Sequence, residues 1–383
     1  MYRYLGVRVL QIIITLLLFQ TVTYFLIDAQ PGDIADLLTT SPEIPPAERQ
    51  RLRAELGLDR PPAERFVKYV TNFYKGDLGV SFSRYPTPVL DIIKERLPRT
   101  IVLFLTATII SFWAGYITGK LVAWRRGGWV EYSSTIAGVT LYTVFTPWFA
   151  LMMIWLFAVK LDWLPAGKFL DPLEWLDAPV HANDIFIRLI WTASIGLLVA
   201  FAGLLFSNRI EHRLRPAVRW ASLLVPLAGL ILYWRSSGAG SYAWDIVSHL
   251  ILPVLTLTLI AYGGTMLLMR TSMLETLRED YILTARAKGL PDNMIRDKHA
   301  ARTALLPVWT GLVFAIPAAV SGGIITETIF SWPGIGLTLL NSALVADIPL
   351  AMGALTVIGI LTLFSHLVAD IGYAFLDPRI RYG

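Results

Sequence analysis

Residues 246–269 read IVSHLILPVLTLTLIAYGGTMLLM, an apolar run without a single Asp, Glu, Lys or Arg. As one helix this run would be about 36 Å long, because each residue advances a helix by about 1.5 Å. That length is enough to cross the roughly 30 Å hydrocarbon core of a bilayer. The run therefore predicts a membrane-spanning helix.

The composition of the whole chain supports a membrane location. Of its 383 residues, 55% are hydrophobic and 16% are charged, and the mean hydropathy is +0.58. A soluble domain is usually about 45–50% apolar and about 25% charged. The absence of cysteine excludes disulfides, thiolate metal sites and cysteine nucleophiles. The net charge of +5 is modest and indicates basic cytoplasmic loops rather than nucleic-acid binding.

Eight apolar runs are candidate spans. The predicted fold class is therefore all-α, a polytopic membrane bundle of about eight transmembrane helices. The fifth run is the weakest, because it is short and carries Pro226. The first resembles a signal peptide, but it is about 19 residues long and no A-x-A-like site follows it, which favours a retained anchor. The runs are 9–27, 100–122, 135–159, 185–206, 220–233, 246–269, 305–326 and 350–375.

The loops between the runs alternate in charge. Basic residues concentrate at 120–126, 209–219 and 278–302 and in the C-terminal tail, whereas the connection 161–184 is acidic. Because cytoplasmic loops are rich in Lys and Arg, both termini are predicted to be cytoplasmic. That placement needs an even number of spans. Eight spans satisfy it, and so would six, if neither the fourth nor the fifth run crosses the membrane.

Residues 28–99 then form an external helical segment. Helices are predicted at 46–57 and 62–75, the second with Phe66, Val70 and Phe73 at helical spacing. This segment is either a small cap on the outer ends of the spans or a docking surface for another protein, and the two are compatible.

The motifs of several enzyme classes are missing. No P-loop, H-E-x-x-H or G-x-S-x-G sequence occurs, and no two histidines are three or four residues apart. We therefore expect no catalytic residue, metal site or cofactor on this chain. Glu327, Asp370, His249 and His366 all lie near the ends of runs, whereas a pump needs ionisable groups inside the membrane. His366 and Asp370 form either a local helix-stabilising pair or a relay.

Residues 281–294, YILTARAKGLPDNM, are too polar to span a membrane, and their pattern of apolar residues is too regular for an irregular loop. An apolar residue every four positions from 273 to 285 predicts one helix of about five turns. Gly289 suits the left-handed residue that follows such a helix, and Pro291 prevents the helix from resuming. A second short helix can begin there, with a small apolar face at Met294. This hairpin lies on the membrane surface or plugs into a cytoplasmic partner.

Several motifs in register resemble one family of membrane proteins. TARAKGL at 284–290, followed by HAARTALLPV, resembles the EAA-type loop of ABC-transporter permeases, in its oligopeptide/dipeptide/nickel importer form and of the first-permease type. The other motifs occur in the family's order, namely RVLQIIITLLLFQTVTYFLIDAQPGD (8–33), LGLDRPPAERFVKYVTNFYKGDLGVSF (56–82), RTSMLETLREDYILTARAKGL (270–290), ITETIFSWPGIG (325–336) and YAFLDPRIRY (373–382).

The resemblance implies a transport subunit rather than an enzyme, forming half of a pathway for peptides or related small solutes. It implies as partners a second homologous permease subunit, two P-loop ATPase subunits that bind ATP and Mg, an extracytoplasmic substrate-binding protein and membrane lipids, without nucleic acid. The implied location is the bacterial or archaeal cytoplasmic (inner) membrane, crossed several times. The cargo is not identified, because peptides, nickel and other solutes use similar permeases.

The resemblance also implies two sets of site residues. In the family the EAA-type loop is the coupling helix, which docks into a groove on the separate ATPase. The residues implied to dock here are Thr284, Ala285, Arg286, Ala287, Lys288, Gly289, Leu290, Pro291 and Met294. The SWPGIG loop is implied to lie near the outer mouth, where a binding protein delivers cargo. The residues implied to lie on this external side are Glu327 and, within the loop, Ser331, Trp332, Pro333, Gly334 and Gly336.

Two features depart from the family pattern. The glutamate of the general EAA motif is absent, since Leu283, Thr284 and Ala285 occupy those places. Residues 170–245 have no place in the six-span form and are predicted to be an inserted pair of transmembrane helices, peripheral to transport, with a lipid contact or an extra docking site as alternatives. The other predicted divisions are an anchor at 1–27, the external segment 28–99, two spans at 100–169, and a core at 246–383 with a coupling loop at 270–304.

Two rival functions remain. A self-contained secondary carrier or channel would work without nucleotide or partners, although the shortage of intramembrane charges argues against it. A non-transporting membrane scaffold would tolerate changes at Gly289 and along the pathway.

Overall fold

A computed structural model describes residues 2–28, 60–207, 209–211, 214–321 and 323–376. This part of the chain is helical and contains no sheet, which confirms the predicted all-α class. The helices are α1 Tyr2–Asp28, α2 Pro62–Tyr74, α3 Val89–Trp124, α4 Trp129–Thr143, α5 Thr146–Ile154, α6 Ala182–Ser207, α7 Arg215–Ser236, α8 Gly240–Thr276, α9 Asp280–Ala287, α10 Asp292–Met294, α11 Ala301–Ser321, α12 Ile324–Ile329, α13 Ile335–Leu344 and α14 Ile348–Leu376. Two π-helical segments continue this order, Trp155–Lys160 after α5 and Ile295–Ala300 between α10 and α11.

Six helices in the described residues are long and apolar enough to cross a membrane. They are α3, α6, α7, α8, the stretch Asp292–Ile316 through α10 and α11, and Ile348–Leu367 within α14. The first predicted span contains a shorter apolar stretch, Leu10–Leu26 in α1. The fifth predicted span is the 22-residue helix α7, which accommodates Pro226. The chain is therefore a polytopic membrane protein.

The third predicted span, 135–159, is not one continuous helix. α4 and the helix that begins with α5 meet at an angle of 105° after a short break. Pro147 explains the break, because proline has no N–H to donate to the carbonyl of Thr143, four residues earlier, and its ring collides with that carbonyl. The apolar run is continuous in sequence, but the helix is not.

Glycines allow α3, α4 and α8 to approach one another closely. A Cβ on Gly119 of α3 would lie 2.6 Å from the carbonyl oxygen of Met266 in α8. A Cβ on Gly263 of α8 would lie similarly close to the carbonyl oxygen of Gly138 in α4. Small residues are typical of contacts between membrane helices, because close backbone approach replaces the missing hydrophobic driving force.

The external segment is helical where the structure describes it. α2 matches the predicted helix at 62–75, and Phe66 and Tyr69 contact Tyr24 of α1, with ring centroids 5.3 and 6.0 Å apart. The Tyr69 hydroxyl lies 2.9 Å from Thr356 Oγ1 of α14, and burial raises the pKa of Tyr69. The predicted helix 46–57, the Asp370 side chain and the tail after Leu376 lie outside the described residues.

The chain divides into two compact units, one of Met1–Met153 with Pro253–Gly383 and one of Ile154–Leu252. In the second unit α6 and α7 form an antiparallel hairpin, in which Trp234 Nε1 donates to Thr192 Oγ1 at 3.3 Å. Asp245 accepts the indole N–H of Trp175 at 2.8 Å and the backbone N–H of Asp171 at 3.1 Å. The predicted insert, 170–245, falls within this unit, and its peripheral role in transport stays a prediction.

Candidate functional site

α9 ends in a tight turn at Gly289, whose φ is +71°. The N–H of Leu290 donates to the carbonyl of Ala285 at 3.3 Å. The N–H of Gly289 donates to the carbonyl of Arg286 at 2.9 Å. Together these bonds form a Schellman motif, which places a left-handed residue after the helix and favours glycine there. The predicted conformation of Gly289 is confirmed.

The chain turns back into a helix at Pro291, whose carbonyl accepts the N–H groups of Met294 and Ile295. The predicted start of the second helix is confirmed, since α10 begins at Asp292, but its predicted short length is wrong, because α10, the π-helical segment Ile295–Ala300 and α11 follow one another without interruption. No glycine or proline occurs between Asp292 and Leu306, so no residue in that stretch stops a helix.

The single five-turn helix predicted through 273–285 is also wrong. α8 ends at Thr276, and α9 starts afresh after a turn in which Glu279 is extended (φ −70°, ψ 144°). The break turns Ile282 toward the core, where it is 0% exposed, and leaves Tyr281 41% exposed. The packing of Ile282 therefore overrides the four-residue apolar repeat.

Residues 280–294, called the coupling segment because they include the predicted coupling helix, have one buried and one exposed face. Ile282 and Ala285 pack in an apolar cluster with Met273 of α8 and Phe112 of α3. Of the residues predicted to dock, Ala285 is buried, and Leu290 and Met294 are half-buried. The exposed ones are Thr284, Arg286, Ala287, Lys288, Gly289 and Pro291. The docking role of both groups stays a prediction.

Ion pairs join the helices around the coupling segment. Lys120 Nζ, near the end of α3, lies 2.9 Å from Asp297 Oδ1 in the π-helical segment that follows α10. Arg270 of α8 pairs with Glu131 at the start of α4. The same Glu131 carboxylate accepts the N–H of Gly127 at 2.6 Å. The first pair therefore connects α3 with the helix that leaves the coupling segment, and the contacts of Glu131 connect α4 with α8 and with the turn after α3.

A second candidate site centres on Glu327 of α12, whose side chain is fully buried. Its carboxylate accepts the Thr100 hydroxyl at 2.7 Å and the N–H of Leu337, in the first turn of α13, at 2.8 Å. Thr100 Oγ1 accepts the N–H of Ile335 at 2.7 Å. These acceptors satisfy N–H groups that have no carbonyl within α13. α12 lies outside the candidate spans. Burial raises the pKa of Glu327, and the hydrogen bonds from Thr100 and Leu337 oppose this rise.

The SWPGIG loop, residues 331–336, packs around this carboxylate. A Cβ on Gly334 would collide with the Glu327 carboxylate and the Thr100 hydroxyl. Trp332 is 0% exposed and donates its indole N–H to the carbonyl of Arg99 at 3.2 Å. In this conformation the Trp332 ring has no surface that a cargo could touch. Of the six predicted external residues, Ser331 is exposed, Pro333 is half-buried, and Glu327, Trp332, Gly334 and Gly336 are buried.

Asp347, just before α14, is fully buried like Glu327, and sequence reasoning missed it. It accepts the Ser83 N–H at 2.9 Å, the Ser83 hydroxyl at 2.7 Å, the Ser81 hydroxyl and the Leu350 N–H at 3.2 Å. It therefore ties the turn after α2 to the start of α14. Ser83 and Asp347 are 264 residues apart, so no local pattern in the sequence indicates this contact.

The fold defines a polytopic membrane protein, and comparison with known families shows its class. The chain belongs to the family described as Binding-protein-dependent transport system inner membrane component, whose profile matches residues 111–382. Residues 1–104 match the N-terminal profile of the membrane components of the same transport systems. The members of this family are membrane components rather than enzymes.

Curated relatives align along most of the chain. The oligopeptide transport system permease protein AppB of Bacillus subtilis is 31% identical over 382 residues, which cover 100% of both chains. The probable D,D-dipeptide transport system permease protein DdpB of Escherichia coli K12 is 32% identical over 362 residues, 94% of this chain and 92% of the relative. The dipeptide transport system permease protein DppB of the same strain is 29% identical over 364 residues, 94% and 93%. The resemblance to permeases of the oligopeptide/dipeptide/nickel importer family is therefore confirmed.

Proposed function

We propose that this chain supplies half of the translocation pathway of an ATP-driven importer for peptides or related small solutes. Its family consists of inner membrane components of binding-protein-dependent transport systems. The names of its relatives refer to oligopeptide, D,D-dipeptide and dipeptide transport, which supports a peptide cargo. A second homologous permease supplies the other half, two P-loop ATPases bind ATP and Mg, and an extracytoplasmic binding protein delivers the cargo. Both termini are cytoplasmic in this proposal, in agreement with the positions of the basic loops.

The two-faced coupling segment carries the proposal. Its buried face is held by Ile282 and Ala285 in the apolar cluster, and its Schellman turn fixes the direction of the chain at Gly289. The exposed face is therefore a rigid protruding surface, here called the knob. Its Ala287 is small enough to let a partner protein approach closely. A partner that pushes on this knob moves the attached helices instead of deforming the segment. A docked interface of standard size would bury about 800 Å² on each partner.

The contacts around the coupling segment indicate how movement is transmitted. A displacement of the segment acts on α8 through the apolar cluster and on α3 through the ion pair of Lys120 with Asp297. Closure of the ATPases would then rock α3, α8 and α11 as a group. Rigid-body rocking around a central path is a common form of alternating access.

The test is affinity purification of the tagged protein from its native membranes, with identification of the co-purifying chains and an ATPase assay. We expect a second permease and P-loop ATPases to co-purify. Ala287→Trp places a bulky side chain on the exposed face of the coupling segment. The recovery of the ATPases should fall more than ten-fold, because a steric misfit that costs about 1.4 kcal/mol already weakens the binding affinity by a factor of about ten. The second permease should still co-purify.

The matched control is Ala202→Trp, at an exposed alanine of α6. This variant should recover both partners at the level of the parent protein. If the parent protein purifies alone and shows no ATP-dependent activity, the importer proposal fails and a self-contained carrier becomes the better description.

A further inference from the structure

The second unit contains a groove of about 840 Å³ between α6, α7 and the start of α8. Its walls are formed by Leu189 and Ala193 of α6 and by Leu227, Leu230 and Ile231 of α7. Along α7 the groove extends from Leu227 to Arg235, which is about 12 Å at a rise of about 1.5 Å per residue. The groove is therefore an elongated apolar trough.

The helices that form this trough are hardly covered by the protein. In the most apolar 18 residues of α6 and of α7, 6% and 0% of the residues are buried. A helix that is apolar all round yet uncovered by protein is typical of a membrane span that faces lipid. The walls of the trough are therefore accessible to acyl chains.

One end of the trough differs from the rest because it is cationic. Arg235 lies there in the last turn of α7, beside Gly240 and Ser241 in the first turn of α8. No ion pair of Arg235 occurs in the part of the chain that the structure describes. The N–H groups at the start of a helix lack intrahelical partners and add partial positive charge. Trp234 and Trp244 line the same end, and tryptophan is enriched at the membrane interface.

We propose that this groove binds one phospholipid, with an acyl chain between α6 and α7 and the phosphate against Arg235 and the start of α8. An apolar trough with a single cationic end complements an amphiphile with a single anionic end. A transmembrane helix of another protein would complement the charge of Arg235 only if it carried an acidic residue at the depth of this interface. A phospholipid brings its anion at that depth in every copy.

The test uses the full-length chain, delipidated in a non-ionic detergent, and native mass spectrometry. Dioleoylphosphatidylglycerol is the probe, dioleoylglycerol has the same tails without phosphate, and glycerol 3-phosphate has the phosphate without tails. We expect one saturable site for the phospholipid. Binding of dioleoylglycerol should be roughly ten-fold weaker, because it lacks the charge-assisted contact. Glycerol 3-phosphate should not bind.

Two variants locate the site. Arg235→Gln should weaken phospholipid binding roughly ten-fold and leave dioleoylglycerol binding unchanged. Ala193→Trp fills the trough and should weaken the binding of both lipids. The matched controls are Arg188→Gln, at the same end of the hairpin, and Ala228→Trp, on an exposed part of α7, since neither residue lines the groove. Unchanged phospholipid binding by Arg235→Gln or by Ala193→Trp would overturn the proposal, as would equal binding of the two lipids.

Discussion

Gly289 holds a backbone conformation, φ +71°, that costs a residue with a Cβ about 1–2 kcal/mol. Gly289→Pro changes more than this, because proline fixes φ near −65° and removes the N–H that bonds the carbonyl of Arg286. The second helix would then leave the turn in a wrong direction. We expect uptake by membrane vesicles to fall more than ten-fold at matched expression. A loss of about 1.4 kcal/mol in the free energy of coupling already lowers the coupling constant by a factor of about ten.

The matched control for this prediction is Gly289→Asn. Asparagine tolerates the left-handed region better than most residues and keeps its N–H, so most of the uptake should survive. Normal uptake by the proline variant would mean that the direction of the second helix is irrelevant to coupling.

Glu327 makes a different kind of contribution, because its buried carboxylate accepts bonds from groups far apart in the chain. Glu327→Ala leaves the Leu337 N–H and the Thr100 hydroxyl without this acceptor, and an unsatisfied buried group costs roughly 1–3 kcal/mol. We expect the thermal unfolding midpoint of the purified chain to fall by several degrees. Glu275→Ala, at an exposed position of α8, should leave the midpoint nearly unchanged. Equal midpoints for the two variants would show that Glu327 does not anchor the SWPGIG loop.

At the scale of helices, apolar length predicted where the long helices lie, but it did not predict where they break. The break before α5 has a visible cause in Pro147, which lies within an unbroken apolar run. The break after Thr276 has no glycine or proline, and it follows from the packing of Ile282 in the core. The turn at Gly289 was predictable, because a Schellman motif is local. The pairing of Glu327 with Thr100, 227 residues away, is tertiary and has no local signal.

The ion pair between Lys120 and Asp297 connects α3 with the helix that leaves the coupling segment. The side chains are 15% and 38% exposed, and such partly solvated pairs contribute only about 0–1 kcal/mol to stability. Asp297→Asn should therefore hardly change the unfolding midpoint. We expect it instead to raise the number of ATP molecules hydrolysed per substrate transported, because the movement of the segment is passed less completely to α3.

The exchange variant Lys120→Asp with Asp297→Lys provides the control for this pair. It restores opposite charges across the same two helices and should recover most of the ratio that Asp297→Asn loses. If the single and exchanged variants have the same ratio of hydrolysis to transport as the parent protein, the pair is not part of the transmission route.

At the scale of the whole molecule, the chain combines a unit that holds both candidate sites with a second unit built around α6 and α7. The charge pattern predicts that α6 and α7 both cross the membrane, so that together they preserve the orientation of all that follows. This prediction is easier to test than the total number of spans, because it places the turn between α6 and α7 on the cytoplasmic side of the membrane. The chain has no cysteine, so single cysteines can be introduced without first removing any.

In cells that lack the partner ATPase subunits, we expect Lys288→Cys and Glu211→Cys to react with a membrane-impermeant maleimide only after the cells are permeabilised. Leu173→Cys, at a position that is 76% exposed, and Ser331→Cys should react from outside without permeabilisation. Ser342→Cys, at a 1% exposed position, measures the background. Reaction of Glu211→Cys from outside, with Lys288→Cys still protected, would mean that α6 and α7 do not cross as a pair. The bundle would then have six spans, because α6 and α7 would both lie on the outer side of the membrane.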